Sequence, residues 1–297
     1  MCQDLFLQGN ILLIDGSSVV TINRLSGVTV LIGGSANHTG YVEGTGSDIR
    51  FYSPTSILHL NRTHILVIDQ SNHCIRIISL ITKISFPFAG LCQRSGDDNG
   101  PFLSSKLGNP RAAVMQPDQS SVWFTDNLRK IKQLDFSNAT IVTYAELSFE
   151  IYDLTFHPDS SILYLSFTNG LGYMADGNLT ILMSGDGHID GRFELVSFGQ
   201  QLPSIEFITP KLILVADYSN NVYRIIDFTY NTTSTICLAS PQIRTGSVDD
   251  CRLSEPTGSL LLAQEKKILV TSHGFMGTIF YRYVSTGKRW PASKIME

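Results

Sequence analysis

Residues 69–78 read DQSNHCIRII, which places a carboxylate, an imidazole and a thiol close together in sequence. Asp69, His73 and Cys74 carry side chains of the kinds that bind transition metals, and an exposed thiolate can also act as a nucleophile. Asp and Asn side chains also form turns, and the segment after His73 alternates like a strand. The stretch therefore predicts either a small metal or thiol site or one copy of a repeated turn and strand.

The cysteines constrain the first alternative. They are Cys2, Cys74, Cys92, Cys237 and Cys251. No C-x-x-C pair occurs, so a zinc cluster of the usual spacing is excluded. A disulfide between Cys237 and Cys251 would close a loop of about 15 residues and stabilise the fold by roughly 3 kcal/mol. Cys74 and Cys92 are the second predicted pair, and both bridges suit an oxidising compartment.

Other catalytic signatures are missing from the sequence. It has no Ser-His-Asp order, no H-E-x-x-H and no phosphate-binding glycine loop. The net charge of −4 argues against a nucleic-acid partner, which requires a basic surface. The apolar runs fall short of the 18 or so residues that a membrane helix needs, so we expect no transmembrane segment in this chain.

The stretch around Asp69 recurs along the whole chain. Segments related to ILVID, which ends at Asp69, end at Asp15, Asp126, Ser166, Asp217 and Ser272. They define six units of roughly 50 residues, a length typical of repeat architectures. The predicted repeats span residues 1–50, 51–107, 108–149, 150–200, 201–253 and 254–297.

The second unit shows the internal pattern of a repeat best. A proline introduces a short apolar strand from Pro54, and a polar turn leads to the strand HILVID that ends at Asp69. A second turn, QSNH, leads to the alternating strand CIRIIS, and a last strand covers 84–90. Alternation with Gly, Asn, Asp and Ser turns indicates antiparallel hairpins. We predict an all-β chain, a six-bladed β-propeller with four antiparallel strands per blade, forming a single domain over 1–297.

Glycine-rich connections ending in proline link the repeats. They cover residues 40–54, 95–110, 185–203 and 246–256. Glycine permits the positive φ of a tight loop, and proline fixes φ at the first residue of a strand. This chemistry fits a sharp crossing from the outer strand of one blade to the inner strand of the next.

The segment VIDQSNHCIRI resembles the NHL repeat, with Asn72 and His73 in the first two places of the Asn-His-Leu stretch and Cys74 in the third. VADYSNNVYRI, which contains Asn220 and Asn221, is a second close copy. The segment 122–135 looks equally like a YWTD repeat of the LDL-receptor type. Both families form six-bladed propellers, so the resemblance implies the same fold.

Repeated polar residues are interpreted as structural. Asp15, Asp69, Asp126 and Asp217 end the second strand of their units, and we expect each carboxylate to accept N–H bonds across the following turn. Asn72 and Asn220 are predicted turn residues of the same kind. Arg76 and Arg224 occupy matched positions on third strands, where a blade-to-blade ion pair or a packed stem is favoured over ligand recognition.

Propeller active sites lie at the central channel, which the first strands line. Candidate channel residues are His59, Gln116, Asp153, His157 and Glu206. Six-bladed enzymes that the chain resembles hold calcium or zinc there. A metal-dependent hydrolase or lyase with such a site is the alternative function, although the residues identify no particular metal.

Five N-x-[ST] sequons occur, more than the roughly 2.6 that composition alone would give. They are Asn37, Asn61, Asn138, Asn178 and Asn231. Four of them fall in turns that share one face of a blade, and Asn37 falls in a connection. If these sites carry sugar, the opposite face, with the connections, stays open for binding.

The leading hypothesis is a non-catalytic extracellular or lumenal recognition or scaffold module that binds a protein or glycan ligand through propeller loops, without a cofactor. An intracellular NHL domain contacting RNA or protein is the third alternative, which the acidity disfavours. We expect a monomeric domain of a longer secreted or membrane-anchored protein, with its signal and anchor outside this sequence.

Overall fold

The computed structural model describes the backbone of residues 2–5, 10–23, 26–236, 255–262, 267–272 and 275–280. Side chains are described for residues 10–23, 26–236 and 255–259. Every regular element longer than three residues is a β-strand. The strands pair in antiparallel order within six separate sheets.

Five sheets are blades of four or five strands. Blade 1 contains β1 (Cys2–Leu5), β2 (Asn10–Asp15), β3 (Ser18–Asn23) and β4 (Thr29–Gly34). Blade 2 contains β5 (Pro54–His59), β6 (His64–Asp69), β7 (Cys74–Ser79) and β8 (Ser85–Ala89). Blade 3 contains β9 (Gly100–Pro101), β10 (Ala113–Met115), β11 (Ser121–Asp126), β12 (Lys130–Asp135) and β13 (Thr140–Glu146).

The remaining strands follow the same order. Blade 4 contains β14 (Ile151–Phe156), β15 (Leu163–Phe167), β16 (Gly170–Ala175) and β17 (Asn178–Ser184). Blade 5 contains β18 (Gly191–Arg192), β19 (Ser204–Thr209), β20 (Leu212–Asp217), β21 (Val222–Asp227) and β22 (Thr232–Ile236). A sixth sheet contains β23 (Pro256–Leu262), β24 (Lys267–Ser272) and β25 (Phe275–Phe280).

The chain is therefore an all-β propeller, as predicted, but the blade count differs. In the residues that the structure describes there are five blades of four or five strands rather than six blades of four, and the sixth sheet has three strands. Blades 3 and 5 gain a fifth strand because the connection before each blade pairs with its outer strand, β9 with β13 and β18 with β22. These two-residue strands have no alternation for sequence analysis to detect.

Apolar side chains on both faces of each blade form the core. In β6, Ile65 and Val67 pack against blade 1, whereas Leu66 and Ile68 pack against blade 3. Alternate residues of a strand point to opposite faces, so a continuous apolar run serves two neighbouring blades. A matching cluster joins blades 4 and 5, where Leu171 packs with residues that include Val215.

Contacts within the chain divide it into two compact units, Met1–Glu150 and Ile151–Glu297. The first unit holds blades 1 to 3, and the second holds blades 4 and 5 with the sixth sheet. A single domain over 1–297 stays a prediction. Within the described residues, the chain forms no helix long and apolar enough to cross a membrane.

Candidate functional site

A buried ion cluster joins blade 2 to the connection that precedes it, residues 35–53. Arg76, the third residue of β7, is fully buried. Its Nη1 lies 3.2 Å from Asp69 Oδ2, and its Nη2 lies 2.8 Å from Glu43 Oε2 in the connection. The guanidinium also donates to the carbonyl groups of Val42 and Arg50, at 2.7 Å and 2.6 Å. One cation thus fixes both the end of β6 and two parts of the connection.

Aromatic rings complete this cluster. The guanidinium of Arg76 lies 4.5 Å from the ring centroid of Phe51 and 5.2 Å from that of Tyr41. Cation–π attraction is strongest where water is excluded, as it is here. Burial raises the pKa of Asp69, and bonds from Asn72, Tyr52 and Arg76 oppose that rise. The connection is held by charge and packing together.

Two further blades repeat the arrangement. In blade 5, Arg224 lies 3.4 Å from Asp217 and 2.8 Å from Asp190. Asp190 belongs to the connection before blade 5, residues 185–203. The Arg224 guanidinium also lies 4.4 Å from the ring centroid of Phe198. This second arginine cluster matches the first in its partners and in its burial.

Blade 3 builds the same cluster with lysine. Lys132 Nζ lies 3.6 Å from Asp126 Oδ2 and 2.7 Å from Asp97 Oδ1. Asp97 belongs to the connection before blade 3, residues 90–112. Burial raises the pKa of Asp97, but bonds from Lys130 and Lys132 outweigh burial and leave that pKa below its usual value. We call the three groups, centred on Arg76, Lys132 and Arg224, the cation clusters.

The strand-ending aspartates differ in detail from the prediction. Asp69 accepts an N–H from Tyr52 at 2.8 Å, Asp217 accepts one from Gly199 at 3.0 Å, and Asp126 accepts those of Gly108 and Asn109. These donors precede the strand in the connection rather than lying in the turn that follows it; Asp126 alone also accepts from the next residue. The reason is that the folded-back connection would otherwise bury unpaired N–H groups.

Asp15 stands apart from the other three aspartates because its side chain is exposed. The third residue of β3 is Val20, so blade 1 offers no cation at the position of Arg76. Without a buried partner, a carboxylate stays in water. Asp15 therefore ends its second strand, as the other three aspartates do, but within the described residues blade 1 has no cation cluster for it to join.

The predicted Asn turn residues bind the connections as well. Asn72 donates to Gly40 O at 2.7 Å and to Asp69 at 2.8 Å, and Asn220 donates to Gly187 O and Asp217 at 2.7 and 2.9 Å. The next residue in each copy, His73 or Asn221, is left-handed, with φ of 58°.

His73 and Asn221 reach the following connection. His73 Nδ1 lies 2.6 Å from Gly108 O, and Asn221 Oδ1 accepts the N–H of Glu255 at 3.1 Å. Each turn thus ties the connection before its blade to the connection after it. His73 is a structural residue in this arrangement.

The predicted bridge between Cys74 and Cys92 is present, with Cα atoms 4.9 Å apart. It fastens the start of β7 to the beginning of the connection before blade 3. Cys237 and Cys251 lie outside the described residues. The thiol site suggested by the first reading of residues 69–78 is therefore a structural disulfide.

Apolar side chains are exposed on these fixed connections. Tyr52 is 47% exposed in the first connection, Leu103 59% in the second, and Leu195 67% in the third. Val42 and Ile189, at 46% and 54%, flank the carboxylates of two cation clusters. Exposed apolar groups held on an ordered backbone are the usual components of a recognition surface.

Two predicted channel acids lie together on inner strands of the second unit. Asp153 on β14 is buried, and its Oδ2 accepts the N–H of Ile205 on β19 at 2.9 Å. Burial raises the pKa of Asp153 to about 7. Burial and the charge of Asp153 raise the pKa of the partly buried Glu206 to about 8. Asp153 therefore links two blades, and in unit 1 Ser56 links blade 2 to the connection before blade 3 by donating to Arg111 O at 3.0 Å.

The other channel candidates do not gather into a ligand set. His157 is held by Pro210 O at 3.0 Å and by the Phe207 ring, 5.1 Å away. Gln116 accepts bonds from Trp123 and Ser121, and the partly buried His59 belongs to the other unit. Among the residues with described side chains, no group of three His, Cys, Asp or Glu is placed to hold a metal.

All five predicted glycosylation sites are exposed. Asn61 lies between β5 and β6, and Asn138, Asn178 and Asn231 lie in or at the end of turns between third and fourth strands. Asn37 lies in the first connection. The positions match the sequence-based placement, and their use stays a prediction.

Sequence analysis missed four members of the cation clusters. Glu43 and Asp190 each precede a glycine in the pattern G-x-x-[DE]-G of the glycine-rich connections. Lys132 occupies the position that arginine has in the other two clusters. Asn99 occupies the position of Glu43 and Asp190, and the acid Asp97 lies two residues before Asn99. A search for acids 33 to 35 residues before Arg76, Lys132 and Arg224 would have found all three acids.

No family model and no curated protein matches this sequence. Among solved structures, the chain resembles an auxiliary nutrient binding protein from Bacteroides ovatus with a TM-score of 0.63 and 10% identity, over 89% of this chain and 63% of that one. A chain in a nidogen/laminin complex matches with a TM-score of 0.58 and 15% identity, over 87% and 82%.

The chain also resembles virginiamycin B lyase from Staphylococcus aureus, with a TM-score of 0.55 and 12% identity, over 93% of this chain and 78% of that one. At such identities the likeness shows the fold alone. The fold that the chain shares with these proteins is the β-propeller.

Proposed function

We propose that the chain is a non-catalytic extracellular or lumenal recognition module that binds a protein or glycan ligand through its connections. One observation carries the proposal: buried cation clusters hold the three long connections while these connections expose apolar side chains. A loop that is ordered before binding loses less conformational entropy in the complex. Two structural neighbours, an auxiliary nutrient binding protein and a chain of a nidogen/laminin complex, are consistent with binding.

The proposal also includes the type of propeller and the location of the protein. The turn pattern of Asn72 and His73, repeated at Asn220 and Asn221, supports an NHL-type propeller, and β23–β25 would be the inner strands of its sixth blade. The Cys74–Cys92 bridge and the exposed sequons support a secreted or membrane-anchored glycoprotein. A mass that does not fall after peptide-N-glycosidase treatment of secreted protein would contradict the glycoprotein assignment.

Binding is tested with the whole secreted chain on arrays of glycans and of extracellular proteins. We expect a specific partner whose binding is lost when Leu103→Asp and Leu195→Asp are combined. The matched control is Ile81→Asp, a residue 73% exposed in the turn between β7 and β8 that is not itself part of a connection. Retained binding in the double variant, or loss in the control alone, would overturn the assignment to the connections.

The alternative, a hydrolase or lyase with calcium or zinc in the channel, rests on Asp153 and Glu206. Their raised pKa values are typical of functional acids, but Asp153 already accepts a bond from Ile205. Elemental analysis that found stoichiometric calcium or zinc, lost in Glu206→Gln, would favour this alternative.

A further inference from the structure

The outer strand of a blade has a free edge unless another segment pairs with it. In blade 3 that segment is β9, and in blade 5 it is β18. In blade 2, Gly44 O accepts the N–H of Ser85, and Thr45 bridges Ile84. Each covering segment belongs to the connection that precedes its blade.

Blade 4 lacks such a cover in the described part of the chain. The connection before it, residues 147–150, has four residues and leads directly from β13 to β14. It is too short to reach the outer strand and return. β17 is therefore the last strand of its sheet and has a neighbour on one side alone, β16.

The register identifies which residues face the cover. The third residues of the third strands are Arg76, Lys132, Gly172 and Arg224, and they pair with Pro87, Thr143, Ile181 and Thr235 in turn. Thr143 donates its hydroxyl to Asn99, and Thr235 donates its N–H to Asp190 at 2.7 Å. In blade 4 the matching residue is Ile181, and it is 52% exposed.

The covering segments also show what chemistry the edge accepts. In blades 2, 3 and 5, a glycine of the covering segment lies opposite the same position of the outer strand, which is Ser85, Ile141 or Thr233. The residue of β17 at that position is Leu179. These glycines, Gly44, Gly100 and Gly191, have φ of 159°, 138° and 129°, which residues with a Cβ rarely adopt. Two residues before the glycine stands Val42 in blade 2 and Ile189 in blade 5.

Between this β-branched residue and the glycine lies the acid of a cation cluster, Glu43 in blade 2 and Asp190 in blade 5. Blade 4 has Gly172 where those blades have arginine, so an acid there would have no buried partner. The best occupant is therefore an extended strand with a β-branched residue, an uncharged residue and a glycine in succession.

We propose that the outer edge of β17 binds such a peptide segment of a partner protein by antiparallel strand addition. Main-chain bonds supply the affinity in this mode of recognition, and side chains on alternate positions supply the specificity. A second folded copy fits less well, because a seven-residue edge falls short of the roughly 1,200 Å² that a stable interface buries. The proposed function rests on Leu103 and Leu195 of the connections and this proposal rests on the backbone edge at Leu179 and Ile181, so failure of the peptide to bind would leave the proposed function untouched.

The test uses the whole ¹⁵N-labelled chain after glycosidase treatment, which removes any sugar at Asn178. The probe is a synthetic peptide of residues 187–194 carrying Asp190→Ser, added to millimolar concentration. We expect shifted signals and slower hydrogen exchange at the amides of Leu179 and Ile181. A peptide that also carries Gly191→Val should not bind, since valine disfavours the required φ.

Ile181→Pro removes the outward N–H, and blade 2 already holds Pro87 at the same register position. We expect binding to weaken about fivefold or more, as the loss of one backbone bond implies. Ile181→Val keeps the N–H and should bind normally, while Ile181→Lys supplies a second weakened variant if the proline variant unfolds.

The proposal is overturned if the peptide leaves Leu179 and Ile181 unshifted. It is equally overturned if Ile181→Pro and Ile181→Lys both bind as the wild type does, or if the Gly191→Val peptide binds equally well. Self-association of the chain through β17, seen as a dimer that Ile181→Lys abolishes, would replace the peptide with a second copy.

Discussion

At the scale of single residues, a buried charge is stable here because each cation meets two carboxylates. The Arg76 side chain has no exposed surface, and Asp69 beside it has none either. Removing one member of such a pair leaves the other buried without a counter-charge, which is more destabilising than never having had the pair. The cation clusters are thus sensitive points of the fold.

Arg76→Met should lower the free energy of unfolding by about 3–5 kcal/mol, because Asp69 and Glu43 lose their cation. Arg76→Lys should lower it less, since Lys132 fills the same role in blade 3. Urea unfolding followed by circular dichroism measures both. Lys106→Met is the control, because its pair with Asp98 is exposed and worth less than about 1 kcal/mol. A loss in Arg76→Met no larger than in this control would contradict the prediction.

Asp153 and Glu206 should make stability depend on pH. Their folded pKa values, about 7 and about 8, lie above the ordinary values of 3.8 and 4.5. Folding therefore favours the protonated forms, and their contribution is lost as pH rises through the folded pKa values. We expect stability to fall between about pH 4 and about pH 8. Unfolding the double variant Asp153→Asn, Glu206→Gln at each pH should show a flatter profile; an unchanged slope would contradict this.

A residue type that repeats in register can be located from the sequence. Asp69, Asp217, Asn72 and Asn220 were identified from the second strand and the turn after it. Their partners in the connections were not, because irregular segments have no period that fixes which backbone atom meets which side chain. Asp153, a predicted channel residue, accepts a bond from Ile205, and this partner could not be predicted because it depends on which strands are neighbours.

At the scale of elements, the connections behave as parts of the blades they precede. The strands could be predicted because apolar and β-branched runs alternate with turn residues, and β6 begins and ends where the sequence placed it. β9 and β18 could not, since two residues such as Gly100 and Pro101 carry no pattern.

Removing the bridge with Cys74→Ser and Cys92→Ser should lower stability by roughly 3 kcal/mol, because the bridge closes a loop between residues 18 apart. Thermal unfolding measures the loss. A reductant should destabilise the wild type more than it destabilises the double variant. Equal melting of wild type and variant under oxidising conditions would show that the bridge contributes nothing.

At the scale of the whole molecule, repetition explains both the regularity and the exceptions. Blades 2, 3 and 5 share a cation cluster and a covered outer edge, whereas blade 4 has Gly172, a short preceding connection and an open edge. The fold class follows from the repeat length, but these differences follow from connection length, which periodicity does not report.

The central claim is that the long connections are ordered before any ligand binds. Amide hydrogen exchange tests it directly at Tyr52, Gly108 and Gly199, which donate to buried aspartates. We predict protection comparable to that of β6 in the unliganded chain, with protection of Tyr52 lost in Arg76→Met while that of Gly199 is kept. Free exchange at all three amides in the wild type would contradict the claim.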